Sequence, residues 1–228
     1  MKPARRVVTR SPHQNVGVVC CPWLQAEPVE FESITERWFL MNAVMLPRLQ
    51  RIAHQPFRLD LPPLGTTEQG TTYVPDFLLE FAYGESIVIE VKPEAFLIKH
   101  RAKLLAAAEV LRARGHSFFV ITDKHLQAAA SMVDAMQLRR MAKGIRSEDD
   151  VARALSVLQD VPGYMSAGDL CDVASIDLGF VGWLVGRGLV EIGRPRGIDE
   201  HTLVGHLSLT EDSHAALSVG RWFATSPW

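Results

Sequence analysis

Apolar side chains at Phe31, Ile34, Trp38, Met41, Val44 and Met45 recur at spacings of three and four, with Pro47 close behind, which predicts a helix over residues 32–49. Residues 52–61 then read as extended, and Pro56 confines that stretch to a sheet edge or a bend. Residues 62–72, rich in Pro, Gly and Thr, are expected to form a loop. Two strand-like runs, 72–81 and 86–92, flank the turn residues 82–85 and together predict a hairpin. A long amphipathic helix over 98–114 ends at Gly115, as a glycine in the left-handed conformation ends helices generally. A short apolar run over 117–122 predicts a buried strand, and residues 124–141 return to helical spacing.

The pattern changes near residues 143–150, where basic side chains give way to Glu148, Asp149 and Asp150. Beyond this break the spacing predicts helices over 149–158, 166–173 behind an N-cap serine at Ser166, and 177–187. A strand follows over 188–193. Helix, helix-turn-helix and β-wing is the order of a winged helix. Two domains are therefore expected, 1–145 and 146–228.

With 228 residues and 47% hydrophobic side chains, the chain can bury a core of that size. No apolar run reaches the roughly 18 residues of a membrane span, so a soluble, cytoplasmic protein with no membrane partner is expected. Residues 1–10 carry Lys2, Arg5, Arg6 and Arg10 without the apolar stretch of a secretory signal, and read as a basic arm. Cys20, Cys21 and Cys171 lack the spacing of a disulfide framework or a zinc site, which sets structural metal and redox chemistry aside. The net charge of −2 hides an asymmetry. Residues 1–146 hold 19 Lys and Arg against 14 Asp and Glu, a balance of +5, whereas residues 147–228 hold 5 against 12, a balance of −7. The first half can approach a phosphate backbone, and the second is repelled by one.

The chemistry concentrates in Val74-Pro75-Asp76-Phe77 and Ile89-Glu90-Val91-Lys92. Strand alternation puts Glu90 and Lys92 on one face, and the hairpin brings Asp76 beside them. Paired carboxylates on a rigid sheet are hard oxygen ligands for Mg²⁺, with Mn²⁺ able to substitute, and the Val91 carbonyl completes an inner-sphere set. Such an ion activates water and offsets charge on a scissile phosphate. Lys92 either orients or deprotonates that water, or offsets charge in the transition state. A further carboxylate is expected from the preceding helix: Glu36 is the candidate and Glu32, one turn away, its rival. The bland alternative is a strand-capping Asp76 with Glu90 and Lys92 as a solvent-facing pair. Ile87, Val88, Ile89 and Val91 argue against it, because they make the strand apolar on both faces and so bury those charges.

Further blocks accompany this pattern: Ser33 through Glu36 leading into Trp38-Phe39-Leu40, His54-Gln55-Pro56, Tyr73 through Leu78, Val88 through Pro93, and Phe119 through Lys124. Over about residues 30–125 they resemble the TnsA family, a group of PD-(D/E)xK nucleases that serve as endonuclease subunits of heteromeric transposases. The C-terminal pattern resembles that family's smaller domain. The resemblance implies an α/β, restriction-endonuclease-like domain with a mixed central sheet, followed by a small winged-helix domain. It implies cleavage of the 5′ strands at transposon ends in double-stranded DNA, beside a TnsB-like DDE transposase and a TnsC-like AAA+ ATPase, in a bacterial cytoplasm at the nucleoid. It places catalytic roles on Glu36, Asp76 and Lys92. Glu90 stands where some members have Gln, and remains compatible with metal binding. A stand-alone restriction or repair nuclease and a non-catalytic DNA-binding regulator are the competing expectations.

Lys99, Arg101 and Lys103 follow the E-x-K strand and form a candidate phosphate-gripping set, or else a solvated helix face. Gln55 either lies near the scissile phosphate or makes a structural hydrogen bond at a strand start. Arg139, Arg140, Lys143 and Arg146 cluster at the junction, and Trp183 is expected to anchor a core rather than read bases.

Overall fold

A computed structural model of the protein describes residues 15–63, 70–193, 197–207 and 215–228. The expected basic arm at residues 1–10 lies outside them, as does most of the expected loop at 62–72. A hairpin of β1 (Gly17–Val19) and β2 (Val29–Phe31), not foreseen from sequence, leads into α1 (Ile34–Ala43). Then come β3 (Leu49–His54), β4 (Leu59–Leu61), β5 (Thr71–Tyr73), β6 (Phe77–Phe81), β7 (Ser86–Val91), α2 (Leu97–Ala113) and β8 (Ser117–Ile121). Strands β3, β6, β7 and β8 form a four-stranded mixed sheet in that order, antiparallel except for the parallel β7–β8 pair. A parallel neighbour needs a crossover, and α2 provides it. Pro56 falls between β3, an edge strand of this sheet, and β4.

Both faces of the sheet are covered. Phe77, Leu79, Ile87, Ile89, Phe119 and Ile121 pack in the core that includes Phe39 and Leu40 of α1. The alternate residues Leu78, Val88, Phe118 and Val120 pack with Leu104, Ala107 and Leu111 of α2. Period-2 alternation thus assigns even-numbered positions of β6, β7 and β8 to the α2 side.

Two helices depart from the sequence expectation. The one predicted over 32–49 begins at Ile34, because Ser33 caps it by accepting the Glu36 amide at 3.1 Å, and it closes at Ala43. The one predicted over 124–141 is two helices, α3 (Asp123–Ala128) and α4 (Met132–Ala142). Buried Asn42 explains the break: its Oδ1 accepts the Ala130 amide at 3.1 Å and its Nδ2 donates to the Ala130 carbonyl at 3.2 Å. Both backbone groups of Ala130 are taken by one side-chain amide. Ser131 then restarts the helix as the cap of α4.

The remaining elements are α5 (Glu148–Asp160), β9 (Tyr164–Ser166), α6 (Ala167–Ala174), α7 (Leu178–Gly186), β10 (Glu191–Ile192), β11 (Leu203–Gly205) and α8 (Ala215–Phe223). The strand predicted over 188–193 is therefore only its last part. Strands β10, β11 and β9 form a small antiparallel sheet. Ser147, Ser166 and Asp177 cap α5, α6 and α7. Helix α7 is buried along most of its length and lies against α4 so closely that a Cβ on Gly186 would meet the Leu138 carbonyl oxygen at 2.5 Å. Trp183 is buried and donates to the Gly144 carbonyl at 2.8 Å, as expected of a core anchor. Residues 215–228 return to the first half, where Phe223 stacks on Phe39 at 5.5 Å and the Trp228 amide donates to the Phe118 carbonyl at 2.9 Å. One apolar core therefore crosses residue 146. Among the described residues no helix is long and apolar enough to cross a membrane.

Asn42 also accepts from Trp222 Nε1 at 3.3 Å, so it ties α1, the α3–α4 break and α8 together. Asn42→Ala leaves buried backbone groups of Ala130 short of partners and should cost about 2–4 kcal/mol in urea unfolding. A loss under about 0.5 kcal/mol would contradict the clamp.

Candidate active site

Asp76, just before β6, and Glu90 and Lys92, at the end of β7, are all even-numbered positions and so project to the α2 side of the sheet. They line a cavity of about 260 Å³ together with Glu32, Gln55, Tyr73, Val74, His100, Lys103 and Leu104. A larger hollow of about 630 Å³ beside β3, lined by Gln25, Glu27, Glu30, Arg51 and His54 among others, contains none of the three.

The geometry is tight. Asp76 Oδ2 accepts the Val91 amide at 2.8 Å, which locks the start of β6 to the end of β7. Lys92 Nζ lies 2.8 Å from Glu90 Oε1, and the buried Tyr73 hydroxyl donates to Glu90 Oε2 at 2.6 Å. Glu90 is 3% exposed. Asp76 sits deep among protein atoms but keeps a half-buried face on the cavity.

Burial pushes the Asp76 carboxyl well above the usual carboxylate range, and repulsion from Glu90 adds to this while Lys92 opposes it. Burial works to lower the Lys92 pKa, but attraction from Glu90 and then Asp76 outweighs it and the net shift is upward. Tyr73 is also pushed well up, first by burial and then by Glu90. Lys92 thus remains an ammonium at neutral pH beside Asp76, whose ionisation is opposed by burial and by the nearby Glu90.

The sequence-predicted residues separate into groups. Asp76, Glu90, Val91 and Lys92 come together as expected. Glu36 sits in the first turn of α1, where Glu32 N–H donates to its Oε2 at 2.7 Å and Ser33 Oγ to its Oε1 at 2.9 Å. It is buried, desolvation raises its pKa, and it acts electrostatically on both Asp76 and Lys92 without lining the cavity. Glu32, its rival, does line the cavity. Of the proposed phosphate-gripping set only Lys103 reaches the cavity, its Nζ lying 5.6 Å from the Tyr73 ring centroid, whereas Lys99 and Arg101 are exposed and absent from the lining. Helical spacing places His100 one turn before Leu104 on the buried stripe of α2 and Lys103 at its edge, one turn before Ala107.

Gln55, left between two readings by the sequence, lines the cavity, whereas Tyr73 and His100 were missed as site residues. Helical spacing pointed to His100, which lies three residues before Lys103. Tyr73 carried a weaker signal, as an aromatic next to the Asp76 motif.

The oxygen-rich donor set suits a hard divalent cation, since a bound positive charge would relieve the repulsion between Asp76 and Glu90. In the arrangement seen, protein donors hold these carboxylates, and among the described residues no three Asp, Glu, His or Cys side chains form a ready ligand group. Side-chain adjustment would therefore accompany binding.

Residues 47–123 match the family model described as "TnsA-like endonuclease N terminal", and the match supports assignment of the chain to the TnsA family. The matched segment contains Asp76, Glu90 and Lys92 but neither Glu36 nor the elements after α3 begins. No curated protein matches the chain closely enough to count as a relative.

Because the folded state raises the Asp76 pKa, it binds a proton more tightly there than the unfolded chain does. The associated stability is complete below the ordinary carboxylate range and is lost as pH rises through the folded value. Asp76→Asn keeps an acceptor for Val91 and removes the charge. At neutral pH without metal it should raise Tm by about 2–4 °C, the shift that about 1 kcal/mol gives at this size, and the gain should vanish near pH 4. Equal or lower Tm at neutral pH would contradict the electrostatic account.

Proposed function

We propose that this protein is a metal-dependent DNA endonuclease that cleaves the 5′ strands at transposon ends, acting with a TnsB-like DDE transposase and a TnsC-like AAA+ ATPase in the bacterial cytoplasm. The observation that carries the reading is the convergence of Asp76, Glu90 and Lys92 on one cavity, within the segment that matches the TnsA-like endonuclease family.

Asp76, Glu90 and the Val91 carbonyl would hold Mg²⁺, or Mn²⁺ in its place, with Glu36 contributing from α1. The Val91 carbonyl belongs to this set because a strand residue points its N–H and C=O to the same side, and the Val91 N–H already meets Asp76. The bound ion supplies an activated water and offsets charge on the scissile phosphate. Lys92, an ammonium held by Glu90, offers a hydrogen-bond donor and positive charge to the transition state. That protonation state favours charge stabilisation over a general-base role. Lys103 brings a second positive charge to the cavity wall, and Lys99 and Arg101 supply a more distant exposed charge for the DNA backbone.

We also assign the nuclease to residues 1–145 and a winged-helix interaction domain to residues from 146 onward. Support comes from the order α5, β9, α6, α7, β10, β11 with its small antiparallel sheet. Helix α7, which would read DNA in such a domain, is largely buried, and the surrounding half of the chain is acidic. Both features favour protein contact over base reading.

The test combines purified protein, its transposase partner, Mg²⁺ and transposon-end DNA. The wild type should nick the 5′ strand, Asp76→Ala should abolish the nick, and Lys92→Ala should slow it by about 10²–10³-fold. Normal cutting by Asp76→Ala would sink the assignment. Cutting by the chain without any partner would instead identify a stand-alone nuclease.

A further inference from the structure

Gln55 combines two unfavourable features at the wall of the cavity. It is not glycine, yet its φ is +43°, in the left-handed region that long side chains rarely occupy. It is also 7% exposed, and its Oε1 is a buried acceptor with no hydrogen-bond partner among the described residues. Native structures rarely leave such an atom unpaired without a reason.

The strain is not needed for the hydrogen bond that the Gln55 backbone makes. Its N–H donates to the Asp76 carbonyl at 2.8 Å, immediately beyond β3, and any residue except proline offers that donor. Glycine or asparagine would adopt the same backbone more readily. What a glutamine adds is a carbonyl oxygen on a two-carbon stem. The amide nitrogen at the same tip is 3.4 Å from Glu32 Oε1, which fixes the orientation, since turning the amide over would set two acceptors against each other. Gln55 lines the cavity that also holds Asp76, Glu90 and Lys92, and the unpaired acceptor is its buried Oε1.

A carbonyl acceptor has no proton to offer a phosphate, so its natural partner in an acidic cavity is a donor carried in by a cation. We propose that Gln55 is a positioning residue whose Oε1 accepts a hydrogen bond from a water molecule carried by the divalent cation between Asp76 and Glu90. This rests on the nuclease reading above and adds a residue to it. The backbone strain then has a use, because the bend after β3 turns the Gln55 side chain along the cavity wall while its N–H holds the Asp76 backbone.

Full-length Gln55→Asn and Gln55→Gly test this against wild type and Asp76→Ala, by calorimetric titration with Mn²⁺ and Mg²⁺, thermal melting without metal, and the nicking assay. Asn and Gly both relieve the strained backbone and both withdraw the acceptor. The expected result is a Tm equal to or above that of the wild type, with cation affinity or nicking rate reduced about 10-fold or more, the usual scale for an outer-shell partner. Wild-type cation binding and cutting in both variants, while Asp76→Ala loses them, would overturn the role of Gln55 and leave the nuclease reading standing. A lowered Tm in both variants would assign the side chain a structural role and overturn the proposal as well. If the wild type binds no divalent cation, or Asp76→Ala binds it equally well, both readings fall together.

Discussion

The hydrogen bond from the Val91 amide to Asp76 Oδ2 sets the geometry on which the site depends. It joins the residue before β6 to the last residue of β7, beyond the final register pair Phe77–Ile89 of that hairpin. A carboxylate that caps a strand is ordinary; here the same group is buried and repelled by the nearby Glu90 in an otherwise apolar sheet. The two acids are compatible because Lys92 lies 2.8 Å from one of them and because Tyr73 donates to it. The resting state is thus a compromise among charges, with Asp76 tending to hold its proton. A cation held there would favour the ionised form of Asp76 and release its proton. This links the burial that makes the site costly to the chemistry it can support.

The sheet turns this local arrangement into a cavity. With α1 on one face and α2 on the other, the even-numbered residues of β6 and β7 would all be packed under α2 if that helix covered the strands to their ends. Instead the buried stripe of α2 begins at Leu104, and the preceding turns present Lys103 and His100 to the cavity. The sheet contributes the acidic wall and the helix a wall with positive charge. Both walls border the same cavity of about 260 Å³.

Much of this was legible in the sequence because it depends on short-range periodicity. The hairpin of β6 and β7, the buried strand β8 and the long helix α2 follow from alternation and helical spacing, and the E-x-K spacing by itself puts Glu90 and Lys92 on one face. What sequence could not supply were long-range hydrogen bonds. The break between α3 and α4 comes from Asn42, which lies 88 residues before the backbone it captures, although Ser131 three places before Asp134 was a readable cap. Likewise, helical spacing could not separate Glu36 from Glu32. The structure separates their surroundings, since Glu36 is engaged by the first turn of its own helix and Glu32 faces the cavity. Nor could sequence separate Lys99 and Arg101 from Lys103, the one of the three that lines the cavity.

The C-terminal part of the chain bears on the site through α1. Glu36 occupies the first turn of that helix and Asn42 lies near its end, where it meets both Ala130 and Trp222. Phe223 stacks on Phe39 between them, and Phe39 stacks in turn on Phe77, the residue after Asp76, at 5.3 Å. Because packed aromatic rings resist small displacements, α8 constrains the helix that carries Glu36 and the strand that follows Asp76 at the same time. The apolar core runs across residue 146, where the charge balance changes sign, so residues of the acidic half also pack against the helix and strand that flank the carboxylates.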